Sequence, residues 1–214
     1  MIKVLAIGNS FSQDATRYLH DIAAADGLEL KVVNLYIGGC SLNTHINNAV
    51  KDLPLYTYEL NGKDTGKMIS IKDALLADKW DVVTLQQVSH ESICYETFQP
   101  YLSRLPEYVR KYAPDAKQMI HQTWAYEDNS ERLNRELSYN RQEDMFTDIE
   151  RSYDNAAKDL GNLQIIPSGK AFQIAISHGL ENLYRDTFHA SLGLGRYILG
   201  AVWYEILTGN SIKQ

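Results

Sequence analysis

Short β-branched runs alternate with longer amphipathic stretches along this chain, and that alternation constrains the fold more than any other feature of the sequence. A chain patterned in this way builds βαβ units around a parallel sheet. Five runs read as strands: Lys3–Ile7, Leu30–Leu35, Asp81–Leu85, Gln118–Gln122 and Leu163–Ile166. Val4-Leu5-Ala6-Ile7 and Val82-Val83-Thr84-Leu85 are nearly continuously apolar, as strands covered on both faces are. The stretches between them read as helices. Asp14–Asp26 gathers Tyr18, Leu19, Ile22 and Ala23 on one face, and Phe98–Tyr112 stops before Ala113-Pro114, where proline disfavours further helix. Arg141–Leu160 sets Met145, Ile149, Tyr153 and Ala156 at helical spacing, and Ser191–Leu207 turns Leu194, Ile198, Val202 and Ile206 inward.

One segment breaks the alternation. Leu55–Leu60 and Lys67–Ile71 flank Asn61-Gly62-Lys63-Asp64-Thr65-Gly66, which reads as a β-hairpin excursion near 55–71. No internal repeat or low-complexity tract accompanies it, so residues 1–214 are expected to form one α/β domain.

Composition removes several function classes. Apolar residues make up 44% of the chain, which excludes wholesale disorder, and 13 Gly with 5 Pro exclude collagen-like material. A formal charge of −6 argues against broad capture of nucleic acid or an anionic membrane. No apolar run approaches the roughly 18–20 residues of a membrane span, and Met1–Gly8 lacks the apolar core of a secretory leader. The compartment stays open: cytoplasmic if the chain is complete, periplasmic or secreted if a leader has been removed. Cys40 and Cys94 are expected reduced and partly buried, not bridged. Six His lie scattered at 20, 45, 90, 121, 178 and 189, with no CxxC and no four-residue His pair, so no metal site is expected.

Ligands of open parallel sheets bind outside the carboxyl ends of the strands. The residues following those ends here are Gly8-Asn9-Ser10-Phe11-Ser12, Gly38-Gly39-Cys40-Ser41, Gln86-Gln87-Val88-Ser89-His90 and Thr123-Trp124, rich in hydroxyls and amides and poor in charge. That lining suits a neutral polar substrate better than a phosphate. Ser10, on a tight strand-to-helix turn, can project its hydroxyl from the sheet edge while its own N–H faces developing negative charge; alternatively Ser10 or Ser12 caps the helix. Asp186-Thr187-Phe188-His189 places a carboxylate three residues before an imidazole. A serine hydroxyl needs a neutral imidazole to accept its proton, and that imidazole needs a partner to fix its tautomer. Asp186 and His189 fill both roles if the segment folds over Ser10; otherwise Asp186 caps the last helix and His189 is a surface residue.

Taken together, Gly8-Asn9-Ser10-Phe11-Ser12, Gly39, the polar block after the third strand and Asp186-x-x-His189 resemble the SGNH (GDSL-type) hydrolases in order and spacing over essentially the whole chain. The resemblance implies a flavodoxin-like three-layer α/β/α sandwich, whose parallel sheet would be the five strands read above. It implies esterase activity without metal or organic cofactor, with Ser10 as nucleophile, Asp186 and His189 completing a triad, and the N–H groups of Ser10 and Gly39 forming an oxyanion hole. Two blocks depart from the family pattern. Asn9 stands where Asp is commoner, keeping the turn shape and dropping a charge. The third block lacks the family's Gly-x-Asn-Asp, and either His90 or Gln86 can supply the missing side-chain donor. Trp124, Gln87 and His45 are the expected substrate contacts, although Trp124 equally suits the sheet–helix interface and His45 a capping or core role. The Gly-Asn-Ser-Phe-Ser block looks similar to carbohydrate acetylesterases, so a small-molecule or saccharide ester is the expected substrate. A catalytically inactive glycan-binding module of the same fold is the alternative. A flavin-phosphate binder fits poorly, because Phe11–Arg17 offers no glycine for close approach to a phosphate.

Overall fold

The computed structural model describes residues 1–212. Its elements, in chain order, are β1 (Ile2–Gly8), α1 (Ser10–Thr16), α2 (Leu19–Ala25), β2 (Leu30–Tyr36), α3 (Leu42–Val50), β3 (Tyr56–Leu60), β4 (Lys63–Ile69), α4 (Ile71–Leu76), β5 (Val82–Leu85), α5 (Tyr101–Tyr112), β6 (Lys117–His121), α6 (Gln142–Asp159), β7 (Gln164–Ile166), α7 (Ser168–Ser177) and α8 (Leu194–Thr208). The strands form one sheet in the order β4-β3-β2-β1-β5-β6-β7. Helices cover both sides: α8 packs against α1, α2 and α7, and α3, α4 and α5 pack together in the opposite layer.

The sheet has seven strands where five were expected. The five parallel strands are present, and the hairpin joins them instead of standing apart: β3 pairs antiparallel with β2, Asn34 opposite Glu59, and β4 pairs with β3. Side chains secure that addition. Glu59 is 5% exposed and accepts from Asn34 Nδ2 at 2.7 Å and from Gln13 Nε2, so the excursion buttresses α1.

Register decides where the site falls. Gly8 lies level with Tyr36, Ile7 with Leu85, and Leu85 with Ile120. The segments after β1, β2, β5 and β6 therefore leave the sheet side by side. The chain winds outward from β1 to β2 and then returns across β1 to β5, so the winding reverses at β1, and a crevice opens at such a reversal. Val4, Leu5, Ala6 and Ile7 are at most 1% exposed, as the unbroken apolar run requires.

Two helical expectations shift. The stretch 14–26 is two helices starting earlier, at Ser10, and breaking at Arg17–Tyr18. At the break, Gly62 of the hairpin turn lies so close that a Cβ would sit 2.2 Å from the Arg17 carbonyl oxygen. In α8 the buried stripe is Gly195, Leu199, Gly200, Trp203 and Tyr204, and Leu194 is exposed. That helix is apolar on most sides, so periodicity alone could not orient it. The two glycines do: a Cβ at Gly195 would meet the Leu183 carbonyl at 2.5 Å, and one at Gly200 would meet Ile22 Cδ1 at 2.9 Å. Met145, Ile149, Tyr153 and Ala156 of α6 are all fully buried, as their spacing predicts. Both cysteines are free; Cys40 is buried, whereas Cys94 is exposed, not partly buried.

Candidate active site

A cleft of about 380 Å³ opens over the carboxyl ends of β1, β2 and β5, and Ser10, Gly39, His90 and His189 line it. Gly8 ends β1 because nothing larger fits: a Cβ there would lie 2.3 Å from Ser12 Oγ and 2.8 Å from Gln86 Oε1. Asn9 then caps α1, its Oδ1 accepting the Phe11 N–H at 3.0 Å. Ser12 is spent elsewhere, its single hydroxyl proton shared between the Asn9 carbonyl and Asn34 Oδ1. Ser10 is thus relieved of capping, and its hydroxyl turns to the cleft.

His189 Nε2 lies 2.8 Å from Ser10 Oγ, and His189 Nδ1 lies 2.8 Å from Asp186 Oδ2. A carboxylate can only accept, so Nδ1 carries the ring proton and Nε2 is left to accept from the Ser10 hydroxyl. Asp186 Oδ1 also takes the His189 backbone N–H at 2.9 Å, which locks the turn. Burial opposes ionisation of Asp186, but the His189 ring and backbone hydrogen bonds, with the charge of Arg185, outweigh it and hold the carboxyl below its ordinary value. Asp186 does not cap α8, whose N-cap is Gly193. Thr187 stands at φ 71°, a strained left-handed conformation for a β-branched residue, and its carbonyl accepts the Glu127 N–H at 2.7 Å.

Asp14 anchors this arrangement, and its role was missed in the sequence. Fully buried on α1, it accepts from Arg185 Nη1 through both oxygens at 2.9 Å, from Arg196 Nε at 2.8 Å and from the Ala190 N–H at 3.1 Å. A buried carboxylate requires such partners. The available signal was an acid on the helix's inward face between Phe11 and Ala15, with arginines on either side of His189. Trp124 contributes from below: it is fully buried, stacks on Phe11 at 4.0 Å and donates its indole N–H to the Phe188 carbonyl at 2.8 Å. It packs the floor and holds the residues adjoining Ser10 and His189; its ring does not reach the cleft.

The peptide N–H groups of Ser10 and Gly39 have no partner among the described residues. Gly39 adopts φ 64°, a conformation glycine takes without a Cβ penalty. A run of hydrogen bonds fixes its loop. The Ser168 hydroxyl donates to His121 Nε2, His121 Nδ1–H to Gln86 Oε1, Gln86 Nε2 to Asn9 Oδ1, and Asn9 Nδ2 to the Cys40 carbonyl, at 3.0, 3.2, 3.0 and 3.0 Å. Burial pushes His121 down to about 3, so it stays neutral and the direction of donation is preserved. Each buried group is satisfied only in this order. Asn9 is therefore more than a neutral stand-in for Asp. An Asn9→Asp change is expected to remove the donor to Cys40 and set a carboxylate against that carbonyl, lowering kcat/KM on an aryl acetate roughly 10- to 100-fold and stability by about 1–3 kcal/mol; steady-state kinetics and thermal unfolding of the variant check it.

That network also corrects several expectations. Gln86 is 1% exposed, gives one amide N–H to Asn9 and does not line the cleft. Gln87 is buried, accepting the Leu42 and Val88 N–H groups and donating to the Thr97 carbonyl. His45 is fully buried on α3 against Tyr56 and Cys40, and burial lowers it to about 3. Neither can touch a substrate. His90 is exposed on the rim. The walls also include Gln13, Tyr36, Tyr126, Arg132, Arg185 and Phe188; neither arginine has a place in the cleft from the sequence alone, and Phe188 directly precedes His189.

Comparison with known proteins accords with this architecture. The family model described as "Domain of unknown function (DUF4886)" matches residues 3–214. A DUF4886 family protein from Bacteroides uniformis is 36% identical, with a TM-score of 0.88 over 99% of this chain and 84% of that one. A candidate SGNH hydrolase from Slackia heliotrinireducens is 24% identical, with a TM-score of 0.68 over 95% and 97% of the two chains. A catalytic mutant of an acetylxylan esterase from Geobacillus stearothermophilus is 17% identical, with a TM-score of 0.62 over 100% and 97%. The fold is that of the SGNH hydrolases. No curated protein sequence matches the chain.

Proposed function

Given that this chain belongs to the DUF4886 family, we propose that it is a serine esterase that hydrolyses small ester groups, O-acetyl groups on carbohydrate first among them. The observation that carries the reading is the unbroken contact from Ser10 Oγ through His189 to Asp186 at the mouth of a cleft. Ser10 Oγ attacks the acyl carbonyl carbon as His189 Nε2 takes its proton, and Asp186 stabilises the resulting imidazolium. The oxyanion is met by the Ser10 and Gly39 N–H groups, each without another partner among the described residues, with the His90 ring on the rim as a side-chain donor. His189 then protonates the departing alkoxide. Water, deprotonated by the same imidazole, releases acetate from the acyl-enzyme.

The choice of a sugar acetate rests on three supports: the Gly-Asn-Ser-Phe-Ser block, a cleft edged with hydroxyl, amide and aromatic groups, and a shared fold with an acetylxylan esterase. Acetate release from a panel of O-acetylated oligosaccharides, beside 4-nitrophenyl acetate and octanoate, tests it. Turnover of acetyl esters with poor octanoate hydrolysis is expected. Sugar affinity with no acetate released from any substrate would contradict the reading and favour an inactive glycan-binding module.

A further inference from the structure

We infer that Arg132 reads a carboxylate on the substrate, so that the ester's carrier is an acidic saccharide, a uronate in the simplest case. The inference rests on the esterase reading and adds the chemistry of the carrier. The chain as a whole is acidic, at −6, yet its cleft is not: two arginines line it, and no Asp or Glu among the described residues does. Asp186 lies behind His189, on the far side of the imidazole from Ser10.

The two arginines differ. Arg185 is tied down through Nη1, which meets both oxygens of the buried Asp14 and the Ala190 carbonyl, and its Nε lies near Asp186, so it has no pair of uncommitted terminal nitrogens to offer. Arg132 is not so tied. Its one charge partner among the described residues is Glu136, hydrogen-bonded through Nε at 3.3 Å, and the Glu136 side chain is 60% exposed. Such an exposed pair holds its members weakly. The two terminal nitrogens of Arg132 make no hydrogen bond among the described residues, and that planar edge matches a carboxylate bidentately.

Aromatic packing holds the group in place. The guanidinium carbon sits 4.1 Å from the Phe188 ring centre and 5.8 Å from that of Tyr126. Phe188 in turn lies 3.9 Å from the His189 ring centre. Steps of 4.1 and 3.9 Å laid end to end put the guanidinium no more than 8.0 Å from the imidazole. One sugar residue bridges such a gap, with its acetyl ester at Ser10 and its carboxylate at Arg132. A neutral polar lining was expected from the sequence; Arg132 enters from the segment after β6, which carried no such signal.

The test compares kcat/KM for the O-acetylated methyl glycoside of glucuronic acid with that of glucose, which carries a hydroxymethyl group in place of the carboxylate. The wild-type enzyme is expected to prefer the uronate about tenfold or more, the scale of one charge-assisted pair, and added salt should erode the preference. Arg132→Gln should collapse that ratio toward one. A substitution that merely loosens the wall lowers both substrates alike and keeps the ratio, which overturns the inference, as does equal wild-type turnover of the two. Should the wild type fail even on 4-nitrophenyl acetate, the esterase reading falls by itself. Calorimetric titration with unacetylated methyl glucuronide and methyl glucoside then decides the matter: Arg132-dependent affinity for the uronate supports the inference, and equal affinity overturns it.

Discussion

Ser10→Ala is expected to lower kcat on 4-nitrophenyl acetate by roughly 10⁴- to 10⁶-fold, the loss seen when a nucleophile is deleted from a catalytic unit. Stability should hardly move. Among the described residues the Ser10 hydroxyl makes one partly buried hydrogen bond, to His189 Nε2 at 2.8 Å, worth about 0.5–1.5 kcal/mol net. Against that loss, alanine is the better helix former at the first position of α1. The helix cap belongs to Asn9 and survives the change. Thermal unfolding should therefore shift by no more than about 2–4 °C for a chain of this size. A large drop in stability as well would mean that Ser10 supports the fold, and turnover near the wild-type level would mean that the activity has another source.

The second large effect is expected at Asp14. Removing its carboxylate by Asp14→Ala strands Arg185 and Arg196, whose side chains are only 26% and 15% exposed, and frees the Ala190 N–H. Breaking a buried ionic cluster from one side costs about 3–5 kcal/mol, which lowers the unfolding midpoint by about 10 °C at this chain length. Activity should fall independently of unfolding. Ala190 adjoins His189, and with its anchor lost the imidazole is no longer held over Ser10; a displacement of about 1 Å at a reacting group can cost about 100-fold. The two effects separate when kcat is measured well below the variant's midpoint, where circular dichroism reports a folded chain. Wild-type turnover there would confine Asp14 to stability. Loss of turnover with only partial recovery in Asp14→Asn, which keeps an acceptor but not the charge, would assign it to positioning His189.

How far the sequence reveals this molecule depends on the kind of information each feature needs. Strands such as Val4–Ile7 and Val82–Leu85 are legible because burial on both faces writes itself as an unbroken apolar run. The hairpin's place in the sheet is not, because it depends on Glu59 finding Asn34 and Gln13 in other elements. Ser10, Asp186 and His189 are readable as a candidate set of residue types, but the capping roles the sequence equally allows are removed only by the structure, where Asn9 and Gly193 occupy the cap positions. Which way a neighbouring side chain points is a different matter. Gln86, Gln87 and His45 follow strands whose ends face the cleft, yet all three turn into buried hydrogen bonds. Asp14 shows in the sequence as an acid on an inward helix face, but its partners are not legible there because they stand 171 and 182 residues away. Arg132 was overlooked for a similar reason: its position beside Phe188 arises only when the segment after β6 meets the tail of the chain.

The central claim is that His189, brought from the far end of the chain, activates the Ser10 hydroxyl. An aryl fluorophosphonate, which phosphonylates only activated serines at appreciable rates, tests it most directly when the adduct is located by peptide mass spectrometry. A single adduct on Ser10, formed at least about 100-fold more slowly in His189→Ala, is the expected result. An adduct on another serine, none at all, or a Ser10 rate indifferent to His189 would contradict the account.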